Sequence, residues 1–190
     1  TGLLRCQRGQ RHVDVVPDLV AEAATDVVGA DAYLIDLQPQ AGGQQLLGEK
    51  KFTEALEIYN KAWKKDSTRY DVYTGRGTAY FELKEYQKCF DDFTRAIDIA
   101  PDSALAYHYR ANLMYVLNYT EEAIIDNTKA IERTTDEKFL LGCFVNRGSA
   151  REQKRDFQGA YEDFYRAYSY DTADISVINN LGTVLDELNR

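Results

Sequence analysis

The chain has 190 residues, enough for one domain or one short solenoid. It carries 31 Asp and Glu against 23 Lys and Arg, and this acidic balance disfavours nucleic-acid and anionic-membrane partners, which require a basic face. Three scattered cysteines, Cys6, Cys89 and Cys143, suit neither a disulfide scaffold nor a zinc site, and no apolar run is long enough to span a bilayer. Reduced thiols point to a cytoplasmic protein.

Composition changes near residue 47. The first 47 residues hold no lysine and one tyrosine, Tyr33, whereas lysine and tyrosine are frequent from Gly48 onward. Residues 1–37 therefore read as an N-terminal extension. Within it, Pro17 followed by Asp18-Leu19-Val20-Ala21-Glu22-Ala23-Ala24 has the form of a helix start. The segment Ala32–Leu37 is ambiguous between helix and strand. The extension is either a degenerate repeat capping the body of the chain or a foreign tail, and the cap is the favoured reading.

From residue 38 the chain repeats itself. The segment Glu54-Ala55-Leu56-Glu57-Ile58-Tyr59-Asn60-Lys61-Ala62 returns at Lys88–Ala96, Glu122–Ala130 and Gly159–Ala167, at intervals of 34, 34 and 37 residues. Small residues recur in the preceding half of each unit at Gly43, Gly77, Ala111, Gly148 and Gly182. The physical reason is close crossing. Gly or Ala at the contact point lets two helices nest, while Tyr59, Phe93 and Phe164 fill the space between them. The spacing predicts helices over 38–48, 52–66, 70–83, 86–99, 104–117, 120–133, 136–154, 157–170 and 175–188. The third unit has Thr120 and Asn127 where aromatics stand elsewhere, so a looser pair is expected there. Thr134 and Glu137 have capping-box spacing, and the three extra residues around them should lengthen the next helix by nearly a turn.

A 34-residue period with Ala-x-x-x-aromatic in its second half resembles the tetratricopeptide repeat, over residues 38–190. The resemblance implies an all-α fold, a right-handed superhelical solenoid of antiparallel helix pairs, with about four repeats and a final helix. It also implies a protein-interaction module without catalysis or cofactor, whose first helices line a concave groove. Helical spacing then selects partner-binding candidates: Thr74 and Thr78; His108, Tyr109, Asn112 and Tyr115; Asn146 and Ser149; Asn179, Asn180 and Thr183. The groove so defined is polar, amide-rich and aromatic, with acid on one margin and no Lys or Arg. Asn146 and Asn180 occupy the same phase of successive units, and an amide that both donates and accepts suits a peptide backbone. His108 reads as an ordinary groove residue or a pH-sensitive contact.

One subclass of this family resembles a clamp for acidic chaperone tails and needs Lys, Asn and Arg on the inward faces. The matching positions here are Gln40, Gln44, Gly75, Leu105 and Tyr109, or one unit later Thr74, Thr78, Tyr109, Gly142 and Asn146. Neither set supplies the basic residues, so a neutral or basic peptide is the expected partner. The other readings are a self-associating scaffold, hence a homo-oligomer, and an accessory domain of a larger protein. The apolar side chains of the last helix, Ile178, Leu181, Val184, Leu185 and Leu188, favour a fragment of a longer array.

Overall fold

The computed structural model describes residues 38–189, so the N-terminal extension and its helix start lie outside the described residues. Nine helices occur in order and no strand occurs among the described residues: α1 (Gln38–Gly48), α2 (Phe52–Lys65), α3 (Tyr70–Glu82), α4 (Tyr86–Ile99), α5 (Ala104–Val116), α6 (Thr120–Ile131), α7 (Glu137–Gln153), α8 (Phe157–Tyr170) and α9 (Ile175–Leu188). They fall into two compact units, α1–α4 up to Pro101 and α5–α9 from Asp102. Each unit is built of antiparallel helix pairs packed in chain order.

One turn closes all four pairs. Lys50, Lys84, Asn118 and Arg155 take positive φ of 57–62° at the end of the first helix. The next amide then reaches back to the helix, as in Glu85 N to Tyr80 O at 2.8 Å, while Lys84 N bonds Phe81 O at 2.9 Å. Two orphan carbonyls are thereby satisfied and the chain reverses within a few residues.

Packing inside the pairs follows the small-residue pattern. Ala55, Cys89, Ala123 and Ala160 are completely buried, as are Ala96, Ala130 and Ala167. Tyr59, Phe93 and Phe164 are buried beside them. A methyl on Gly43 would come within 2.6 Å of the Tyr59 ring, one on Gly77 within 2.6 Å of Phe93, and one on Gly148 within 2.7 Å of Phe164. Gly75 presses on Tyr59 from α3, so that ring is held between two backbones that lack a Cβ at the contact. The third pair changes both partners. Ala111 replaces the glycine and Asn127 replaces the aromatic, and both are fully buried. The smaller side chain on α6 thus faces a larger one on α5, and the pair is sealed from solvent.

The helix before the fourth pair's turn is longer, as the insertion implied: α7 has 17 residues against 13 in α3 and in α5. Its cap is Asp136 rather than Thr134. Asp136 Oδ1 accepts from Lys138 N and Phe139 N, while Thr134 Oγ1 accepts from Asp136 N, too early to cap the helix.

Three buried ion pairs tie first helices to second helices. Arg76 Nε and Nη2 donate to Asp92 Oδ2 and Oδ1, both at 2.7 Å. Arg110 holds Asp126 in the same way at 2.7 and 3.0 Å, and Arg147 holds Asp163 at 2.9 and 2.7 Å. The guanidinium also reaches the preceding second helix, through Arg76 to Asn60 Oδ1 and Arg147 to Thr128 Oγ1. Arg151, which stands where the other units have Leu46, Tyr80, Met114 and Leu185, joins the third clasp at 2.8 Å from Asp163 Oδ2. The first pair has Gly42 and Ile58 at the equivalent positions, so its clasp is replaced by an apolar contact. Asp163 is 2% exposed, and removing its charge would strand two arginines in a poorly hydrated site. Asp163→Asn is expected to lower unfolding free energy in urea by about 3–5 kcal/mol, while Arg147→Met and Arg151→Met with Asp163→Leu should recover most of that loss.

Candidate functional site

In the second unit α5, α7 and α9 contribute side chains to one place. A shallow recess of about 540 Å³ opens there, lined by Tyr115 from α5, Ser149, Glu152 and Gln153 from α7, and Thr183 and Glu187 from α9. Three sequence candidates, Tyr115, Ser149 and Thr183, are thus brought to one place. Arg155 and Phe157 also line it, and helical phase selects neither. They belong to the turn and start of α8, and the Arg155 guanidinium lies 5.9 Å from the centre of the Phe157 ring. The expectation of a groove without Lys or Arg is corrected accordingly. Burial raises the Glu152 carboxyl above its ordinary range, and the Glu187 charge adds to it. Burial likewise raises the Tyr115 hydroxyl, helped by Glu152.

Beside the recess a polar chain runs inward. Asn146 Nδ2 donates to Asn112 Oδ1 at 2.6 Å, joining α7 to α5. Asn112 Nδ2 lies 3.3 Å from His108 Nε2, and His108 Nδ1 lies 3.4 Å from Cys143 Sγ. Sequence phase aligns Asn146 with Asn180. The bonded partner is Asn112, which repeat alignment would set beside Ser149. The contact is diagonal across the two helices, and only coordinates supply it.

His108 does not sit open in the groove. It is 6% exposed, with Phe139 tilted against it at 5.1 Å between ring centres and Tyr109 at 6.3 Å. Desolvation drives its pKa down from 6.5 to about 4, and the Asn127 amide offsets part of that effect. Burial pushes the Cys143 thiol up to about 12, so the pair is uncharged at neutral pH. The overlooked signal in the sequence is Asn127: a polar residue at the aromatic position of α6 announces a polar neighbour.

The other candidates are dispersed. Thr74 is buried, its hydroxyl on Asp71 O at 3.1 Å, and Thr78 Oγ1 donates within its own helix to Thr74 O at 2.9 Å. Tyr109 is half-buried. On α9, Asn179 and Thr183 are exposed and Asn180 is half-buried. Cys89 and Cys143 are free and buried. Among the described residues no three His, Cys, Asp or Glu side chains converge as metal ligands, and no helix is long and apolar enough to cross a membrane.

His108 yields a pH dependence. Its folded pKa lies below the unfolded value, so stability is full above pH 6.5 and falls as the unfolded state alone takes up the proton, until about pH 4. The wild type should lose roughly 3 kcal/mol relative to His108→Gln across that window, measured by urea unfolding at each pH.

Residues 70–103 match the tetratricopeptide repeat model. The Hsp70/Hsp90 co-chaperone CNS1 of Saccharomyces cerevisiae is 30% identical over 99 residues, which is 50% of this chain and 26% of that protein. Human DnaJ homolog subfamily C member 7 is 30% identical over 98 residues, 48% of this chain and 19% of its own length. The chain thus matches about a quarter or less of these relatives. Among solved structures, Pseudomonas aeruginosa pilF superposes with a TM-score of 0.76 at 16% identity, covering 89% of this chain and 71% of that one. The first TPR of Spaghetti (RPAP3), bound to the HSP90 peptide SRMEEVD, superposes with a TM-score of 0.61 at 22% identity, covering 66% of this chain and 97% of that one. The pair α3 and α4, within residues 70–103, matches the tetratricopeptide repeat, and the described helix pairs share the fold of these solved structures.

Proposed function

We propose that the chain is a non-catalytic interaction module that binds an extended protein or peptide segment on the inner face of α5, α7 and α9. The observation that carries this reading is the Asn112–Asn146 bond beside a recess lined by Tyr115, Ser149 and Thr183. Asn146 is half-buried and its Oδ1 has no protein partner, which suits a peptide N–H. The structure of Spaghetti (RPAP3) with its HSP90 peptide supports peptide binding by this fold. The partner differs in charge, on our reading. Glu152 and Glu187 outnumber Arg155 in the recess, and the positions that would grip an acidic tail hold no lysine or arginine. A neutral or basic segment is therefore the proposed ligand.

A second reading, self-association, is favoured by the outer side of α9, where Ile175 is 73% exposed and Ile178, Leu185 and Leu188 are also open. One experiment separates the two. An array of extended peptides of graded charge is probed with the wild type and with Asn146→Ala/Asn180→Ala, alongside sedimentation over a range of concentrations. The expected result is a monomer that retains neutral and basic peptides, with the double variant losing them at unchanged helicity. Preference for acidic peptides, or equal retention by the variant, contradicts the binding reading. A concentration-dependent dimer supports self-association.

A further inference from the structure

The chain Asn146–Asn112–His108–Cys143 has a direction. Asn112 Oδ1 is occupied as acceptor by Asn146 Nδ2, so the group that Asn112 turns to His108 is its NH2. His108 Nε2 must then accept, because a proton there would oppose two donors. A neutral imidazole carries one proton, and it is left on Nδ1, toward Cys143 Sγ. Asn127 spends its Nδ2 on Ala123 O, and its amide favours a proton on the ring. The opposite arrangement, with Nε2 protonated and both asparagines turned over, would present an NH2 at Asn146 in place of the oxygen. At the surface end, Asn146 has one N–H committed and Oδ1 unbonded by protein.

We propose that His108 is a positioning residue of the partner site, fixing the direction of the Asn112–Asn146 amide pair so that Asn146 Oδ1 is presented as an acceptor for a backbone N–H of the bound segment. The inference rests on the binding role proposed for this face. It goes beyond it by assigning a task to a side chain that never touches the partner, and by naming the group that is recognised. The groove of this unit reads a donor through Asn146, and the buried ring holds that choice. An amide unconstrained from behind would present either end.

The test uses the full chain and two probes, acetyl-(Ala-Lys)3-amide and the same peptide N-methylated at each alanine. Nitrogen NMR of the wild type at neutral pH is expected to show His108 protonated on Nδ1 and bare on Nε2. The wild type should prefer the parent peptide about fivefold, the worth of one hydrogen bond. His108→Gln, whose Oε1 can accept from Asn112, should keep that preference. His108→Phe should fold, shift the Asn112 and Asn146 side-chain amide resonances, and lose the preference. A proton on Nε2, or a preference kept in His108→Phe, overturns the role of His108 while leaving the groove standing. Failure of the parent peptide to move any resonance on α5, α7 or α9 overturns the groove itself and the inference with it.

Discussion

The fold depends on a contact between an aromatic ring and a backbone that lacks a methyl group. Tyr59, Phe93 and Phe164 each lie where a Cβ on the facing glycine would intrude to less than 3 Å. The glycines cost their helices conformational entropy, about 0.5–1 kcal/mol each relative to alanine. Burial of a whole aromatic side chain offsets that cost several times over. The contact also sets the distance between helices in the three pairs that have it. The clasps of Arg76 and Arg147 are bidentate at the separation so fixed, while that of Arg110 forms across the Ala111 and Asn127 pair.

The third pair shows what happens when the ring is given up. Asn127 removes bulk and brings a polar group into the interior, where it must be answered. Ala111 takes back some of the space, and His108 supplies the polar neighbour. The consequence reaches the surface, because His108 is bonded to Asn112 and Asn112 to Asn146. A substitution in the core and the chemistry offered to a partner are joined by three side chains within one unit. Thus the pair that departs furthest from the repeat pattern lies behind the candidate site.

Much of this is legible from spacing. The Gly or Ala phase and the Ala-x-x-x-aromatic phase locate all nine helices to within two residues at either end, because each marks a contact that only a small or a large side chain can make. The clasps escape such a reading for a different reason. Arg76, Arg110 and Arg147 recur at the repeat interval, as do Asp92, Asp126 and Asp163, yet single charges on a helix read as solvated until their shared period is noticed. The cap of α7 turns on whether Thr134 or Asp136 stands nearer the first free amides, which backbone direction decides. His108 reads as a groove residue because helical phase fixes a side chain's azimuth and not its depth. Its depth comes from Phe139, carried over the ring by the longer α7. Arg155 lies in a turn, outside any helical phase, and so has no periodic signal.

The direct test of the central contact is a double-mutant cycle between Gly77 and Phe93, read by urea unfolding. Gly77→Ala alone should destabilise by about 1–3 kcal/mol through overpacking. In a Phe93→Leu background the added methyl finds room, and its cost should fall to near zero, a coupling of about 1–2 kcal/mol. Equal cost of the methyl in both backgrounds would show that ring and backbone do not oppose each other, and would contradict the account.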